Sequence, residues 1–475
     1  MQSQHRSMQT HPHATAPTRD SVTTILSDGS RPFMYPSDTR GTFTTARRIV
    51  AYTLIVFYLS LPWIKINGYP AVFLDIALRR FHLFGLTFAA QDMWLLFFVI
   101  TGLGFTLFFI TALLGRVWCG WACPQTIYLE HIYRRIEVLV EGDSLKRRAL
   151  DEAPWNAEKI SKRVIKHGLF FITSLILTHL FLAYFISIRE VWKMITSAPT
   201  EHWGTFVFIM AYTGLTYFIF CWFREQICIV ICPYGRLQSV LTDDDTITIG
   251  YDSLRGEPRG KAGAPGAGDC ISCNRCVSVC PTGIDIRQGL QLECVGCTAC
   301  IDACDNVMDR LKRSRGLIRY ASQNKLLRKP TRFLRPRVIL YGFFLVIGAS
   351  VASWAISTLK PANLGVTRMV GAPYIMDAHT IRNQYLVRIV NKRNTSTQFL
   401  VHIKNAPEGL VQSGLTTSLE IPALSEVAAP LILQQTDTTY KGAFLFTVEL
   451  EDSTHSFLLK RTTEFLGPDP QFNLK

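Results

Sequence analysis

Charge is scarce in this 475-residue chain. Asp, Glu, Lys and Arg make up only 18% of it, against 48% hydrophobic residues, which excludes an ordinary soluble domain composition. Residues 361–475 hold no cysteine, so that tail has no disulfide framework and offers no thiolate chemistry. It also shows no evident catalytic group. Residues 1–44 are polar and the first apolar run starts well inside the chain, which does not fit a cleavable signal peptide.

Five apolar windows account for the hydrophobic excess: 48–64, 93–114, 168–188, 203–223 and 338–357. Four reach the roughly 20 residues that carry a helix across about 30 Å of hydrocarbon. The first is shorter and contains Pro62, so it reads as a fifth span or as an interfacial helix. Net charge is +14, with basic residues before the first window, between the second and third, and over 310–337. The positive-inside rule then places the N-terminus and the loops at about 115–166 and 224–337 in the cytoplasm and the tail outside. Every basic run abuts a span, so membrane lipid is the expected partner and nucleic acid is not.

Thirteen cysteines in such a chain point to metal or redox chemistry. Eight fall within 270–304. Cys270, Cys273, Cys276 and Cys280 follow C-x2-C-x2-C-x3-C, with Pro281 next; Cys294, Cys297, Cys300 and Cys304 repeat the spacing with Asp305 in place of the proline. The pattern resembles the two-cluster bacterial ferredoxin run, in which three close cysteines and one distant one hold each 4Fe–4S cubane. That implies one cluster on Cys270, Cys273, Cys276 and Cys304 and a second on Cys294, Cys297, Cys300 and Cys280. Paired structural zinc sites are the rival, though zinc motifs seldom repeat this spacing. The preceding 255–269, rich in Gly and Pro, reads as a flexible linker that lets the module dock.

Two further motifs, CGWACP at Cys119–Pro124 and CIVICP at Cys228–Pro233, share the form C-x3-C-P, and each follows a long apolar window. On a helix such cysteines are about 5–6 Å apart at Cβ, too far for a local disulfide. Proline biases Cys123 and Cys232 away from helical geometry, so each pair is expected to straddle a helix end. Soft thiolates select Cu(I), zinc or iron–sulfur centres. Cys119, Cys123, Cys228 and Cys232 are therefore the candidate redox and metal-binding residues. Cys221 has no partner at such a spacing and reads as packing.

Segment 125–142 is amphipathic and reads as lying along the interface, where Glu130 and His131 either assist a metal or face water. His167 and His179 fall at or inside a span and are functional candidates, or neutral histidines bonded to backbone. The tail alternates apolar and polar residues at 381–392, 398–405 and 442–451, which predicts a β-sandwich with a docking or stabilising role. Residues 1–44 read as disordered, with His5, His11 and His13 a weak metal signal. The expected organisation is 1–44 disordered, 45–235 membrane domain with four spans, 236–337 ferredoxin-like domain with basic linker, 338–357 fifth span and 358–475 exterior β domain.

Taken in order, the spans, the two C-x3-C-P motifs, the eight-cysteine segment, the last span and the β tail resemble the CcoG/FixG/RdxA family, accessory proteins for maturation of cbb-type cytochrome c oxidase. The resemblance covers about 40–475. It implies a multi-pass protein of the bacterial inner membrane with an α-helical bundle, an inserted two-cluster ferredoxin module and a periplasmic immunoglobulin-like domain. It also implies reduction of Cu(II), as substrate, to Cu(I), with two 4Fe–4S clusters as cofactors. The implied partners are a cytosolic electron donor, copper chaperones or transporters, and oxidase assembly factors. Carried over, the clusters fall on the eight cysteines above and the membrane thiols on Cys119, Cys123, Cys228 and Cys232. Two other functions fit the same layout: a NapH/NosR-like quinol-linked electron-transfer subunit, and a non-enzymatic copper carrier or scaffold.

Overall fold

A computed structural model describes residues 33–77, 79–88, 93–358, 360–377 and 379–468, which form two compact units. The first contains 33–64, 72–74 and 96–350. Its first helix, α1 (Thr42–Ser60), stops before Pro62, as the missing N–H of proline requires. Four helices are long and apolar enough to cross a membrane: α2 (Met93–Leu114), α3 (Ala157–Leu182), the run Pro199–Phe223 that contains α4 (Trp203–Phe218), and α6 (Pro336–Ser357). α1 is not among them, with Arg47 and Arg48 inside it. α3 begins ahead of the expected window because the Asn156 side chain accepts from Lys159 N and starts the helix there.

Residues 248–321 build the ferredoxin-like module. Strands β1 (Thr248–Tyr251) and β2 (Ile318–Ala321) pair antiparallel beside helix α5 (Ala299–Arg310), over a core of Ile249, Ile286, Ile301, Met308 and Leu317.

Two sequence expectations are corrected here. Segment 255–269 is no free linker: Gly268 N donates to Pro258 O at 2.8 Å, Asp269 N donates to Arg255 O at 3.0 Å, and Arg255 donates to Asp269 and to Ser314 and Arg315 carbonyls. Residues 33–44 are ordered rather than disordered. Ser37 N donates to Ser278 O at 2.8 Å, Asp38 pairs with Arg135 at 3.2 Å, and Tyr35 OH donates to Asp151. The histidine signal at 5, 11 and 13 lies outside the described residues.

The second unit contains 65–71, 75–77, 79–88, 93–95, 351–358, 360–377 and 379–468. Its tail is a two-sheet sandwich. Strands β3 (Ala362–Arg368), β4 (Ile375–Asp377), β5 (Thr380–Asn391), β6 (Thr397–Lys404), β7 (Val411–Ser413), β8 (Leu419–Ile421), β9 (Glu426–Thr436), β10 (Phe444–Asp452) and β11 (Leu458–Phe465) divide into a sheet ordered β7-β9-β5-β3, with β4 on β5, and a sheet ordered β8-β6-β10-β11. The period-two pattern falls on β5, where alternate residues are buried, and the inner faces meet at Tyr385, Phe399, Phe446 and Phe465.

One buried carboxylate closes the β10–β11 turn. Asp452 accepts from Ser456 N at 2.7 Å, Ser456 Oγ at 2.6 Å and Thr454 Oγ1 at 2.7 Å, and pairs with Arg393 at 2.9 Å. Asp452→Ala removes the acceptor of all four, and a loss on the order of 3 kcal/mol is expected. Thermal unfolding followed on the tail's β signal checks this, and an unchanged midpoint would remove the turn from the account.

Candidate redox site

The ferredoxin-like module repeats its backbone at both cysteine loops. Ser272 and Gly296, one residue before Cys273 and Cys297, have φ of 54° and 70°; Asn274 and Thr298, one residue after, have φ of 53° and 65°. Left-handed geometry at a buried, β-branched Thr298 costs free energy. Its recurrence at equivalent positions indicates that each loop must turn its N–H groups inward. The loops enclose two small cavities. One is lined by Cys270, Cys273, Cys276 and Cys304, the other by Cys280, Cys294, Cys297 and Cys300, with Cys276 between them. All thirteen cysteines are free. The donor sets fit two cubane clusters with crossed fourth ligands.

The two C-x3-C-P motifs share a local geometry as well. Each proline opens a helix, Pro124–Tyr128 and Pro233–Leu241, and the preceding cysteine is extended: Cys123 at φ −65°, ψ 124° and Cys232 at φ −63°, ψ 113°. Cys123 N donates to Trp118 O at 2.9 Å and Cys232 N to Ile227 O at 2.8 Å, a turn one residue wider than α. The pairs therefore straddle helix starts, where unpaired N–H groups are available, and those of Gln125 and Thr126 oppose the burial that raises the Cys123 thiol.

Three contacts bring the motifs together. Gln238, 1% exposed, donates from Nε2 to Cys119 Sγ at 3.4 Å. Gln125 Nε2 donates to Arg224 O at 3.1 Å. Glu137 accepts from Arg224 Nη1 and Nη2 at 2.9 and 3.2 Å and from Arg147 at 3.0 Å. Burial pushes Cys119 up to about 11 and raises Cys123 and Cys228 as well; Cys123 and Cys232 add to the effect at Cys119, and all three other thiols add to it at Cys228. Among the described residues no three His, Cys, Asp or Glu side chains are grouped closely enough for a single metal ion. Neither the four thiols nor the ferredoxin-type thiols form a one-ion cage among the described residues.

Gly120 seats the first motif on the second cysteine loop. A Cβ there would stand 2.2 Å from Gly296 O, and a Cβ on Gly296 would stand 2.7 Å from Arg116 O. Around this contact Arg47 Nε donates to Gly120 O at 2.7 Å, Arg116 Nη1 to Cys294 O and Nη2 to Gly235 O at 3.1 Å each, and Trp121 Nε1 to Tyr320 OH at 3.1 Å. Asp302 of α5 accepts from Thr44 N and Oγ1 at 2.6 Å, capping α1.

Other candidates are placed elsewhere. Glu130 bonds Arg134. His131 packs against Tyr52, and burial, with Arg47 and other cations opposing Glu130, lowers it to about 4, so it is neutral at pH 7. His167 Nδ1 lies 2.7 Å from Tyr217 OH and 3.5 Å from Cys221 Sγ, which gives Cys221 the neighbour that its spacing did not suggest. His179 Nδ1 lies 2.8 Å from Leu175 O of its own helix. Segment 125–142 does not lie as a charged face toward water: Tyr133, Glu137 and Glu141 are buried.

Residues 223–323 match the family described as a 4Fe–4S dicluster domain, 93–141 a 4Fe–4S binding domain, and 352–468 the IG-like fold at the C-terminus of FixG. Protein RdxA of Cereibacter sphaeroides is 36% identical over 403 residues, 82% of this chain and 84% of that protein. Protein RdxB of the same organism is 32% identical over 438 residues, 86% and 88%. Nitrogen fixation protein FixG of Rhizobium meliloti is 36% identical over 306 residues, 61% of this chain and 57% of that protein. With the iron–sulfur module, the apolar helices and the β tail all accounted for, the chain belongs to the FixG/RdxA family and is a membrane-bound iron–sulfur electron-transfer protein.

Proposed function

We propose that this protein reduces Cu(II) to Cu(I) at Cys119, Cys123, Cys228 and Cys232, supplying copper for assembly of a cbb-type oxidase. The observation that carries the reading is the seating of Gly120 on Gly296, which joins the first thiol motif to the second cysteine loop. Clusters on the eight ferredoxin-type cysteines supply one-electron transfer when bound. The remaining work falls to the chain's own groups. Gln238 and the helix-start N–H groups orient thiols, and the surrounding burial keeps water from them. Soft sulfur favours copper in the Cu(I) state, and each thiol that binds it releases a proton. The electron comes from a cytosolic one-electron donor, and one electron yields one Cu(I). The basic loops favour a cytoplasmic face for the thiols and the module and a periplasmic β domain. Copper chaperones or transporters and oxidase assembly factors are the corresponding partners.

The test is a variant with serine at all four membrane-proximal thiols. Loss of Cu(II) reduction with the iron of two clusters retained is expected; an unchanged rate removes those thiols from the reaction. The match of 93–141 to a 4Fe–4S binding domain favours a second reading, because that range holds only two cysteines, Cys119 and Cys123, and a cluster there would need Cys228 and Cys232. Iron for three clusters in the wild type, falling to two in the serine variant, is the result that would favour it.

A further inference from the structure

We propose that Arg47 and Arg116 set the direction of electron flow, by raising the reduction potential at the second cysteine set above that at the first. The proposal rests on the iron–sulfur reading alone and not on copper.

Arg47 is 8% exposed. Neither it nor Arg116 forms an ion pair with a carboxylate among the described residues. Their donors go to carbonyls: Arg47 Nη1 to Cys297 O at 3.5 Å and Arg116 Nη1 to Cys294 O at 3.1 Å. Arg47 Nη2 is buried with no partner. An uncompensated cation is costly to bury, and the negative charge that offsets it here is that of a thiolate-ligated cluster.

The first cysteine set differs. Its nearest buried cation, Arg287, is matched by Asp285 through two contacts of 2.7 Å. Arg275 at the rim is exposed and screened by solvent. Each set also has an adjoining carboxylate, Asp305 beside Cys304 and Glu293 beside Cys294, so the two arginines are the difference between them. An added electron makes a cluster more negative, so net positive charge beside it raises its potential. Burial acts the other way: Cys273 is exposed while Cys297 is buried, and burial disfavours the more negative state. Removing the two arginines therefore leaves burial unopposed and lowers the potential at the second set. Both arginines also bond the thiol motifs, at Gly120 O and Gly235 O, so the higher potential lies on the side facing those thiols.

The experiment is a redox titration of the full-length, anaerobically purified chain, followed by electron paramagnetic resonance, with iron content measured on the same samples. Wild type, R47Q, R116Q, the double Gln variant and R47K are compared. Cys273→Ser, which perturbs the first set, identifies which midpoint moves. The expected result is a fall in the double Gln variant of at least tenfold in the reduced-to-oxidised ratio at the second set, about 59 mV for a one-electron couple. R47K, which keeps the charge, stays near wild type. Should the double variant lose iron, the singles carry the same test with a smaller shift in the same direction. An unmoved midpoint with full iron overturns the proposal, and so does a shift in R47K equal to that in R47Q, which would mark a merely structural role. Wild type without cluster signals would overturn the iron–sulfur reading itself.

Discussion

Gly120→Ala is expected to slow Cu(II) reduction several-fold, because the electron then crosses a wider gap between the second cysteine loop and the first thiol motif, while both clusters keep their iron. The added Cβ would meet Gly296 O at 2.2 Å and Gly296 C at 2.6 Å. Both are backbone atoms, in a loop whose left-handed residues leave it little freedom. Relief comes only by parting the first thiol motif from the second cysteine loop, and the Arg47 and Arg116 contacts to both sides stretch with it. Gly104→Ala is the control. It lies within α2 with nothing within 4 Å of its Cβ, and alanine is the better helix former. Steady-state reduction measured beside iron content separates the two outcomes: equal rates in Gly120→Ala and wild type would mean that this contact carries nothing.

The second large effect is on stability. Glu137, 2% exposed, receives three hydrogen bonds from Arg224 and Arg147 and joins the helix after the first motif to the residue four before Cys228. Glu137→Ala leaves the buried Arg147 guanidinium without its anion and Arg224 with only Glu225 at 3.7 Å, and breaking such a pair costs about 3–5 kcal/mol. Burial pushes the Glu137 carboxyl up, but Arg224, Lys166, Arg147 and Arg134 outweigh it and hold the carboxyl below the usual range. The contribution is therefore present above the unfolded-state value of about 4.3 and is lost as pH falls through the lowered folded-state value. Thermal inactivation in detergent micelles at pH 7 is expected to show the full gap between wild type and Glu137→Ala, narrowing under strong acid. A gap that widened on acidification would contradict the charge assignment.

What could be read from the residues followed from periodicity and spacing. Apolar runs gave the spanning helices, and alternation gave β5, β6 and β10. What could not be read depends on contacts between distant residues, which leave no periodic trace. Asp302 caps α1 from 258 positions away, Arg47 reaches Gly120 across 73, and both hold a module that composition alone presented as tethered. The amphipathic segment after the first motif was legible only in part. A helical moment identifies two faces but not which one is inside. Here Glu137 and Glu141 are buried among arginines and lysines, while Leu139 is 81% exposed. Leu129 and Tyr133 of the same segment are buried too, so its inner side carries both an apolar core and buried charge.

The most direct test is a single turnover. Chain reduced under anaerobic conditions and freed of excess reductant is mixed with Cu(II), and cluster absorbance and Cu(I) are followed together. The account predicts fast reoxidation with one Cu(I) formed per electron lost in the wild type, and slow reoxidation when Cys119, Cys123, Cys228 and Cys232 are serine and the clusters are intact. Equal reoxidation rates in the two proteins would contradict it.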